Sequence, residues 1–149
     1  MKVIAAIAFA ALVTTIPASA APLQHYAAPS FAGATPPFSK AVRAGDVLYL
    51  SGVIGRTADG KVPEGIDVQT KAAMDDIRAT LKTAGLGYGD VFHCTAFLTD
   101  MKNWPAFNKV YVGYFSAGQL PARSAVGVTA LALPGAWIDL ECQAYAGKM

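Results

Sequence analysis

Two side chains in the C-terminal part of the chain could do chemistry together. Arg123 follows Pro121 and Ala122 at the start of a short apolar run, and Glu141 stands midway along a second one. A guanidinium is a planar fork that holds a carboxylate through two N–H···O bonds. A neighbouring carboxylate can hold a water for attack and move its proton. Both residue types are also common as solvated charges on strands, so the pattern by itself leaves both interpretations open.

A predicted hairpin is the element that would bring these side chains together. Residues 124–130 and 136–146 flank Leu133-Pro134-Gly135, and two apolar runs around a Pro-Gly turn are typical of antiparallel strands. Side chains alternate along a strand, which places Glu141 on the polar face of the second run. We therefore expect Arg123 and Glu141 to lie on paired strands and to face one cleft.

The upstream pattern predicts strands, a helix, a strand and a second helix. The ranges are strands at 41–43 and 47–53 around an Ala44-Gly45-Asp46 turn, a helix at 68–84, a strand at 91–98 and a helix from about 103. Asp67 and Asn103 are the predicted N-caps, and Gly85 is the predicted end of the first helix. This order favours an α+β domain with two helices packed on one face of a mostly antiparallel β-sheet.

Two further positions could touch a ligand. Gly52 stands where the second strand ends, and a glycine there lets backbone approach a ligand closely, although it also suits an ordinary turn. Asn108 lies at the edge of an apolar helical stripe that we assign to the core. The stripe consists of Phe107, Val110, Tyr111, Tyr114 and Phe115.

Five segments resemble one known family in their order and spacing. They are PPFSKAV at 36–42, AGDVLYLSGVIG at 44–55, TAFLTDMKNWPAFNKVYVGYF at 95–115, PARSAV at 121–126 and IDLECQAYA at 138–146. The family is the RidA/YjgF family of enamine/imine deaminases, and the resemblance covers roughly residues 36–146. PARSAV followed by an acidic, alternating last strand is its most specific part.

The resemblance implies a fold, an assembly and a reaction. The fold is chorismate-mutase-like, and the assembly is a homotrimer with a central β-barrel and three clefts between subunits. The reaction is hydrolysis of 2-enamino and 2-imino acids, such as 2-aminoacrylate and 2-iminopropionate, to 2-keto acids and ammonia. It requires neither a metal nor an organic cofactor, because an imine carbon is already electrophilic.

The resemblance also implies roles for particular residues. Arg123 and Glu141 would be catalytic: Arg123 would hold the substrate carboxylate, while Glu141 would position the water and pass a proton to the departing nitrogen. Backbone near Gly52 would contact the imine nitrogen, and Asn108 would bond ligand or water. Phe38 would line the substrate site where the family often has a tyrosine, so a phenolic hydroxyl is missing here.

Composition limits the partners. The 149 residues suffice for one domain, and only 15% are charged, so we expect some apolar surface to be used in subunit contacts. The net charge is +2 and no basic run occurs, so the sequence does not indicate a nucleic-acid partner.

The first twenty residues have the pattern of a secretory signal peptide. Lys2 precedes an apolar run at 3–13, and Ala18-Ser19-Ala20 is a small-x-small cleavage site. The run is too short for a membrane anchor, so we expect no membrane span after cleavage and a periplasmic or secreted protein. Residues 21–35 are rich in alanine and proline and are predicted to be a flexible or loosely docked leader, with residues 36–149 as the folded domain.

The two cysteines lie in predicted strands. An oxidising compartment permits a disulfide between Cys94 and Cys142. Both positions fall in apolar patterns where a free cysteine packs as a small hydrophobic residue, and we favour this interpretation.

Two other functions fit the same residues. A non-catalytic module that binds small carboxylates needs Arg123 alone, whereas the presence of Glu141 favours an enzyme. A chaperone-like or protein-interaction role, credited to some relatives, is a third alternative.

Overall fold

The computed structural model describes residues 22–30 and 33–147, so the predicted signal peptide lies outside the described residues. Within them, seven strands form one sheet and two α-helices pack against it. The helices are α1 (Ile66–Thr83) and α2 (Trp104–Tyr111). The strands are β1 (Gln24–Ala27), β2 (Ser39–Ala44), β3 (Val47–Leu50), β4 (Val53–Ile54), β5 (Val91–Leu98), β6 (Ala122–Gly127) and β7 (Ile138–Tyr145).

The sheet has the order β1-β2-β3-β7-β5-β6, and β4 also pairs with β7. The pairs are antiparallel except β5 with β6, which run parallel. The last strand of the chain therefore lies in the middle of the sheet.

The core lies between one face of the sheet and the two helices. Ile77 and Leu81 of α1 and Phe107 of α2 are fully buried against Ile138 and Leu140 of β7. No element of the described chain packs over the opposite sheet face, where Tyr49, Val126 and Tyr145 are exposed. The predicted α+β class, with two helices on one face of a mostly antiparallel sheet, is confirmed.

The sequence predicted the C-terminal end of α1 correctly but not its N-terminal end. Gly85 has φ 75°, and the N–H groups of Gly85 and Leu86 donate to Lys82 O at 3.0 Å and Leu81 O at 2.9 Å. This is a Schellman motif, as expected for a glycine after the last turn. The predicted N-cap is wrong, because α1 begins after Gly65 and Asp67 lies within the first turn. A negative charge there interacts favourably with the helix dipole.

The start of α2 also departs from the prediction. Asn103 occupies the N-cap position, but its side chain makes no capping bond. Asp100 instead accepts a hydrogen bond from the N–H of Lys102 at 2.9 Å, capping a 3₁₀ turn that precedes the helix. Pro105 lies in the first turn of α2, where its missing N–H costs nothing.

The predicted hairpin is wrong. Strand β6 pairs with β5, and β7 lies on the other side of β5, so Cys94 is opposite Arg123 on one side and opposite Cys142 on the other. The reason is α2: a helix between β5 and β6 is a crossover connection, which makes the two strands parallel. The Pro134-Gly135 turn belongs to an irregular connection, residues 128–137, that carries the chain from the edge strand to the centre of the sheet.

The buried side chain of Gln69 links this connection to α1 through hydrogen bonds. The Gln69 side chain donates to the carbonyl oxygens of Pro63 at 2.8 Å and Gly135 at 2.9 Å, and it accepts from the N–H of Trp137 at 2.8 Å. Gly55 packs against the same turn of α1, where an added Cβ would lie 1.9 Å from the backbone oxygen of Gln69. Only glycine fits there.

The predicted leader is corrected in part. Residues 24–27 form β1, which pairs antiparallel with β2, and Tyr26 packs against the core. Such a short edge strand packs only one partly buried side chain against the core, so its sequence carries almost no periodicity.

The prediction that the two cysteines are free is also corrected. Cys94 and Cys142 lie directly opposite each other on β5 and β7, with Cα atoms 4.1 Å apart and their sulfurs joined in a disulfide. The preference for free thiols was wrong because it rested on burial alone. Both sulfurs are buried, but the register of β5 and β7, invisible in the sequence, pairs them.

Candidate functional site

Arg123 points toward the helices from edge strand β6. It is paired with Cys94, and paired residues of neighbouring strands project to the same face, which here is the core face. Its guanidinium carbon lies 4.5 Å from the ring centres of Trp104 and Tyr111 and 5.4 Å from that of Phe107. A cation over aromatic rings is stabilised by about 0.5–2 kcal/mol, depending on its desolvation. The aromatic face of α2 therefore holds the charge in place.

Three polar atoms, one on this cation and two on α2, are buried and have no hydrogen-bond partner within the described residues. They are Nη1 of Arg123, the hydroxyl of Tyr111 and Oδ1 of Asn108. Buried polar groups are normally paired, so a set of unpaired ones indicates a place where a ligand or a partner chain binds. Residues 104, 107, 108 and 111 share one side of α2 by helical spacing, which brings Asn108 beside Arg123. We call Arg123, Asn108 and Tyr111 the cationic half-site.

The chemistry of the cationic half-site suits a carboxylate. The guanidinium donates hydrogen bonds and carries the opposite charge. Burial raises the pKa of Tyr111 to about 12, although the Arg123 charge acts in the other direction. Its hydroxyl therefore keeps its proton at neutral pH and can donate as well. The sequence did not single out Tyr111, because its place in the apolar stripe is also explained by packing.

A second group of predicted residues lines a cavity of about 410 Å³. Phe38 and Gly52 lie on its wall together with Asp139, Arg56 and Leu133. A Cβ at Gly52 would come within 2.6 Å of the Asp139 Oδ1. The group that approaches Gly52 closely in this chain is the Asp139 carboxyl, and contact of Gly52 with a ligand stays a prediction. We call Phe38, Gly52 and Asp139 the cavity half-site.

Glu141 lies next to the cavity half-site on the open face of the sheet. It is exposed, it is paired with Thr95 of β5, and it lines a groove of about 200 Å³ with Tyr49, His93 and Gln143. Asp139 precedes it by two residues on the same strand, so the two side chains project from the same face.

The expectation that Arg123 and Glu141 face one cleft is wrong within a single chain. On β5, Cys94 is opposite Arg123, while its neighbour Thr95 is opposite Glu141. Adjacent residues of a strand point to opposite faces, so Arg123 and Glu141 project from opposite faces of the sheet. The chain thus brings Arg123 together with Asn108, and Phe38 with Gly52 near Glu141, but it keeps the two sets apart.

Asp139 is the principal residue that the sequence did not single out. Burial raises the pKa of its carboxyl and the Glu141 charge raises it further, while the N–H groups of Leu140 and Val53 act in the opposite direction. The sequence does contain two carboxyl groups at i and i+2 on one strand, but the alternation of apolar and polar residues along that strand assigned both to a solvated face. Asp139 pairs with Ile54 of β4, and β4 is only two residues long.

The described residues contain no group of three or more His, Cys, Asp or Glu side chains arranged to hold a metal ion. None of the helices in the same part of the chain is long and apolar enough to cross a bilayer.

Comparison with known proteins gives consistent matches. Residues 28–146 match the family model described as Endoribonuclease L-PSP. The chain is 34% identical over 113 residues to the mouse 2-iminobutanoate/2-iminopropanoate deaminase, covering 74% of this chain and 82% of that protein. It is 37% identical over 108 residues to Reactive Intermediate Deaminase A, chloroplastic, of Arabidopsis thaliana, covering 71% of this chain and 57% of that protein.

The fold agrees with solved structures. The crystal structure of RidA from the Antarctic bacterium Psychrobacter superposes with a TM-score of 0.71 at 31% identity, covering 83% of this chain and 97% of that one. The fold that the sequence resemblance implied is therefore confirmed.

Proposed function

Because the chain belongs to the RidA/YjgF family, we propose that it hydrolyses 2-enamino and 2-imino acids to 2-keto acids and ammonia. The observation that carries the proposal is the cationic half-site. It combines a fixed cation, whose own Nη1 is buried and unpaired, with two unpaired buried polar atoms on α2, and a substrate carboxylate requires such an environment. The names of the mouse and Arabidopsis relatives support the reaction class.

Each group has a part in this reaction. Arg123 binds the substrate carboxylate and fixes the orientation of the imine, with Tyr111 and Asn108 as further hydrogen-bonding groups. Glu141 holds the attacking water and takes its proton. Backbone at Gly52 lies beside the imine nitrogen, and Phe38 covers the substrate with an apolar ring in place of a phenol.

The complete site requires more than one copy of the chain. Since Arg123 and Glu141 project from opposite faces of one sheet, a substrate can touch both only if the cationic half-site of one subunit meets the cavity half-site of a neighbour. A homotrimer with three such contacts satisfies this requirement for every half-site. The uncovered sheet face, with exposed Tyr49, Val126 and Tyr145, supports burial against other subunits.

We propose that the protein works outside the cytoplasm, either in the periplasm or as a secreted protein. The signal-peptide pattern at residues 1–20 supports export. The Cys94–Cys142 disulfide supports it independently, because disulfides persist mainly in oxidising compartments.

The test is to add the purified protein to a reaction that generates 2-imino acids and to follow release of the keto acid. Faster release than in buffer alone, lost in Arg123→Ala, supports the deaminase. Saturable binding of a keto acid without faster release would instead identify a carboxylate-binding module. Glu141 and its neighbour Asp139 favour the enzyme, because a binding site for a carboxylate gains nothing from two more negative groups.

A further inference from the structure

The cavity beside Phe38 and Gly52 is larger than the smallest imino acids need. Its volume is about 410 Å³, which is within the range of pockets that hold drug-sized ligands. The side chain of 2-iminopropionate is a single methyl group, so this compound would fill only part of the space. The lining of the cavity therefore carries information about a longer substrate side chain.

Every second residue from Gly52 to Arg56 lines this cavity. Gly52, Ile54 and Arg56 are on its wall, whereas Val53 and Gly55 are buried toward the core. Adjacent residues of extended backbone project in opposite directions, and the rise of about 3.4 Å per residue puts the Cα atoms of Gly52 and Arg56 at most about 14 Å apart. The guanidinium of Arg56 thus faces the same space as the glycine that the proposed reaction places beside the imine nitrogen.

The wall between these two positions is mainly apolar. It is formed by Phe38, Ile54 and Leu133 together with Pro29 and Pro36. Such a wall suits methylene groups and offers few hydrogen bonds to the middle of a ligand. A ligand that extends from Gly52 along this wall reaches a charged group only at Arg56.

The charge at the Arg56 end of the cavity is positive. Arg56 also lines two adjoining cavities with Asp76, and one of these includes Lys40. Since Lys40 forms a salt bridge with Asp76, Arg56 adds a basic group to a pair that is neutral overall. The other charged group among the described residues of the wall is Asp139, which lies against Gly52, and burial raises the pKa of its carboxyl. An acidic group of a ligand is therefore attracted to the Arg56 end.

Resting on the proposed deaminase function, we infer that the substrate is a 2-imino acid whose side chain ends in a second carboxylate, and that Arg56 binds this carboxylate. The first carboxylate is held by Arg123 of a neighbouring subunit, as in the proposed reaction. The methylene groups of the side chain lie against Phe38 and Ile54, and the guanidinium of Arg56 donates hydrogen bonds to the distal carboxylate. The member of this class with two methylene groups is 2-iminoglutarate.

The test compares two imino acids that have the same five-carbon chain, 2-iminoglutarate and 2-iminopentanoate, generated in the assay by oxidation of glutamate and norvaline. We expect the wild-type kcat/KM to be at least about tenfold higher for 2-iminoglutarate, which is the usual effect of a hydrogen bond between charged groups. Calorimetric titration with 2-oxoglutarate and 2-oxopentanoate should show a preference in the same direction.

Variants at position 56 assign the preference to its residue. Arg56→Gln should bring the ratio of the two kcat/KM values close to one, and Arg56→Lys should keep part of it, because the charge remains but the planar fork is lost. Lys61→Gln removes an exposed cation from the same loop, and Lys61 does not line this cavity. It is the matched control and should keep the wild-type ratio.

The outcomes are distinguishable. Wild-type protein that is inactive on every imino acid overturns the deaminase and this inference together. Active wild type that treats both compounds equally, or prefers 2-iminopentanoate, overturns only the substrate class. A wild-type ratio in Arg56→Gln, or an equal loss of the ratio in Lys61→Gln, overturns the role of Arg56. If Arg56→Gln does not fold, Arg56→Lys decides, and an unchanged ratio in that variant overturns the role of Arg56.

Discussion

At the scale of the residue, Arg123 carries the most specific expectation. Arg123→Ala removes a partly buried charge-assisted contact with the substrate carboxylate, and we expect a loss of roughly 2–5 kcal/mol in transition-state stabilisation. Arg123→Lys should recover little, because an ammonium cannot reproduce the planar fork or its stacking on Trp104 and Tyr111. Measurement of kcat/KM and of keto-acid binding checks both. Binding retained in Arg123→Ala would contradict the assignment.

Glu141 should behave differently from Arg123, since in the proposed reaction it acts on water rather than on the carboxylate. Glu141→Gln keeps the shape but cannot take a proton, so we expect kcat to fall by about 10²–10⁴ while ligand affinity is largely kept. Steady-state kinetics together with calorimetric titration of a keto acid separate the two quantities. Full activity in Glu141→Gln would make it an ordinary solvated strand residue.

Asp139 should affect how the free energy of unfolding depends on pH. Because burial raises its pKa in the folded protein, protonated Asp139 favours the folded state. This contribution is fully present below the pKa of the unfolded chain and is lost as pH rises through the folded-state value. Relative to Asp139→Asn, wild type should therefore lose free energy of unfolding with rising pH. Urea denaturation at one fixed protein concentration measures this, and parallel pH curves would contradict it.

At the scale of the element, Gln69 holds the irregular connection 128–137 in place. Gln69→Ala leaves the carbonyl groups of Pro63 and Gly135 and the N–H of Trp137 without their partner. We expect the free energy of unfolding to fall by about 1–3 kcal/mol or more, since each buried group loses its hydrogen bond. Urea denaturation should show this, with exposed Gln119→Ala unchanged as the control. Equal midpoints for both variants would mean that packing alone holds the connection.

The elements also show what a sequence can predict. Helix α1 and its end at Gly85 follow from local signals, namely an apolar stripe and a glycine after the last turn, whose φ is positive in the structure. The pairing partner of β6 does not follow from local signals, because a Pro-Gly turn has the same sequence pattern whether it closes a hairpin or connects strands across a sheet. The site divides in the same way: the types of Arg123 and Glu141 were informative, but their opposite orientation depends on long-range register.

At the scale of the whole molecule, the proposed sharing of the site between the subunits of a trimer predicts complementation. In a mixed trimer of Arg123→Ala and Glu141→Gln subunits, one interface pairs an intact Arg123 with an intact Glu141. With random equal mixing, about three quarters of trimers are mixed and each has one native site in three, so about one quarter of wild-type activity should return. Refolding the two variants together and separately checks this. Activity that stays at the level of the separate variants would contradict a shared site.

The central position of β7 has a consequence for how the sheet assembles. Residues 138–145 follow every other strand of the described chain, yet they form the strand that joins β3 to β5. Until they arrive, the two halves of the sheet share no backbone hydrogen bonds through β7 and Cys94 has no partner. Shortening the chain within β7 would therefore divide the sheet into two parts, whereas loss of the edge strand β1 would only narrow it.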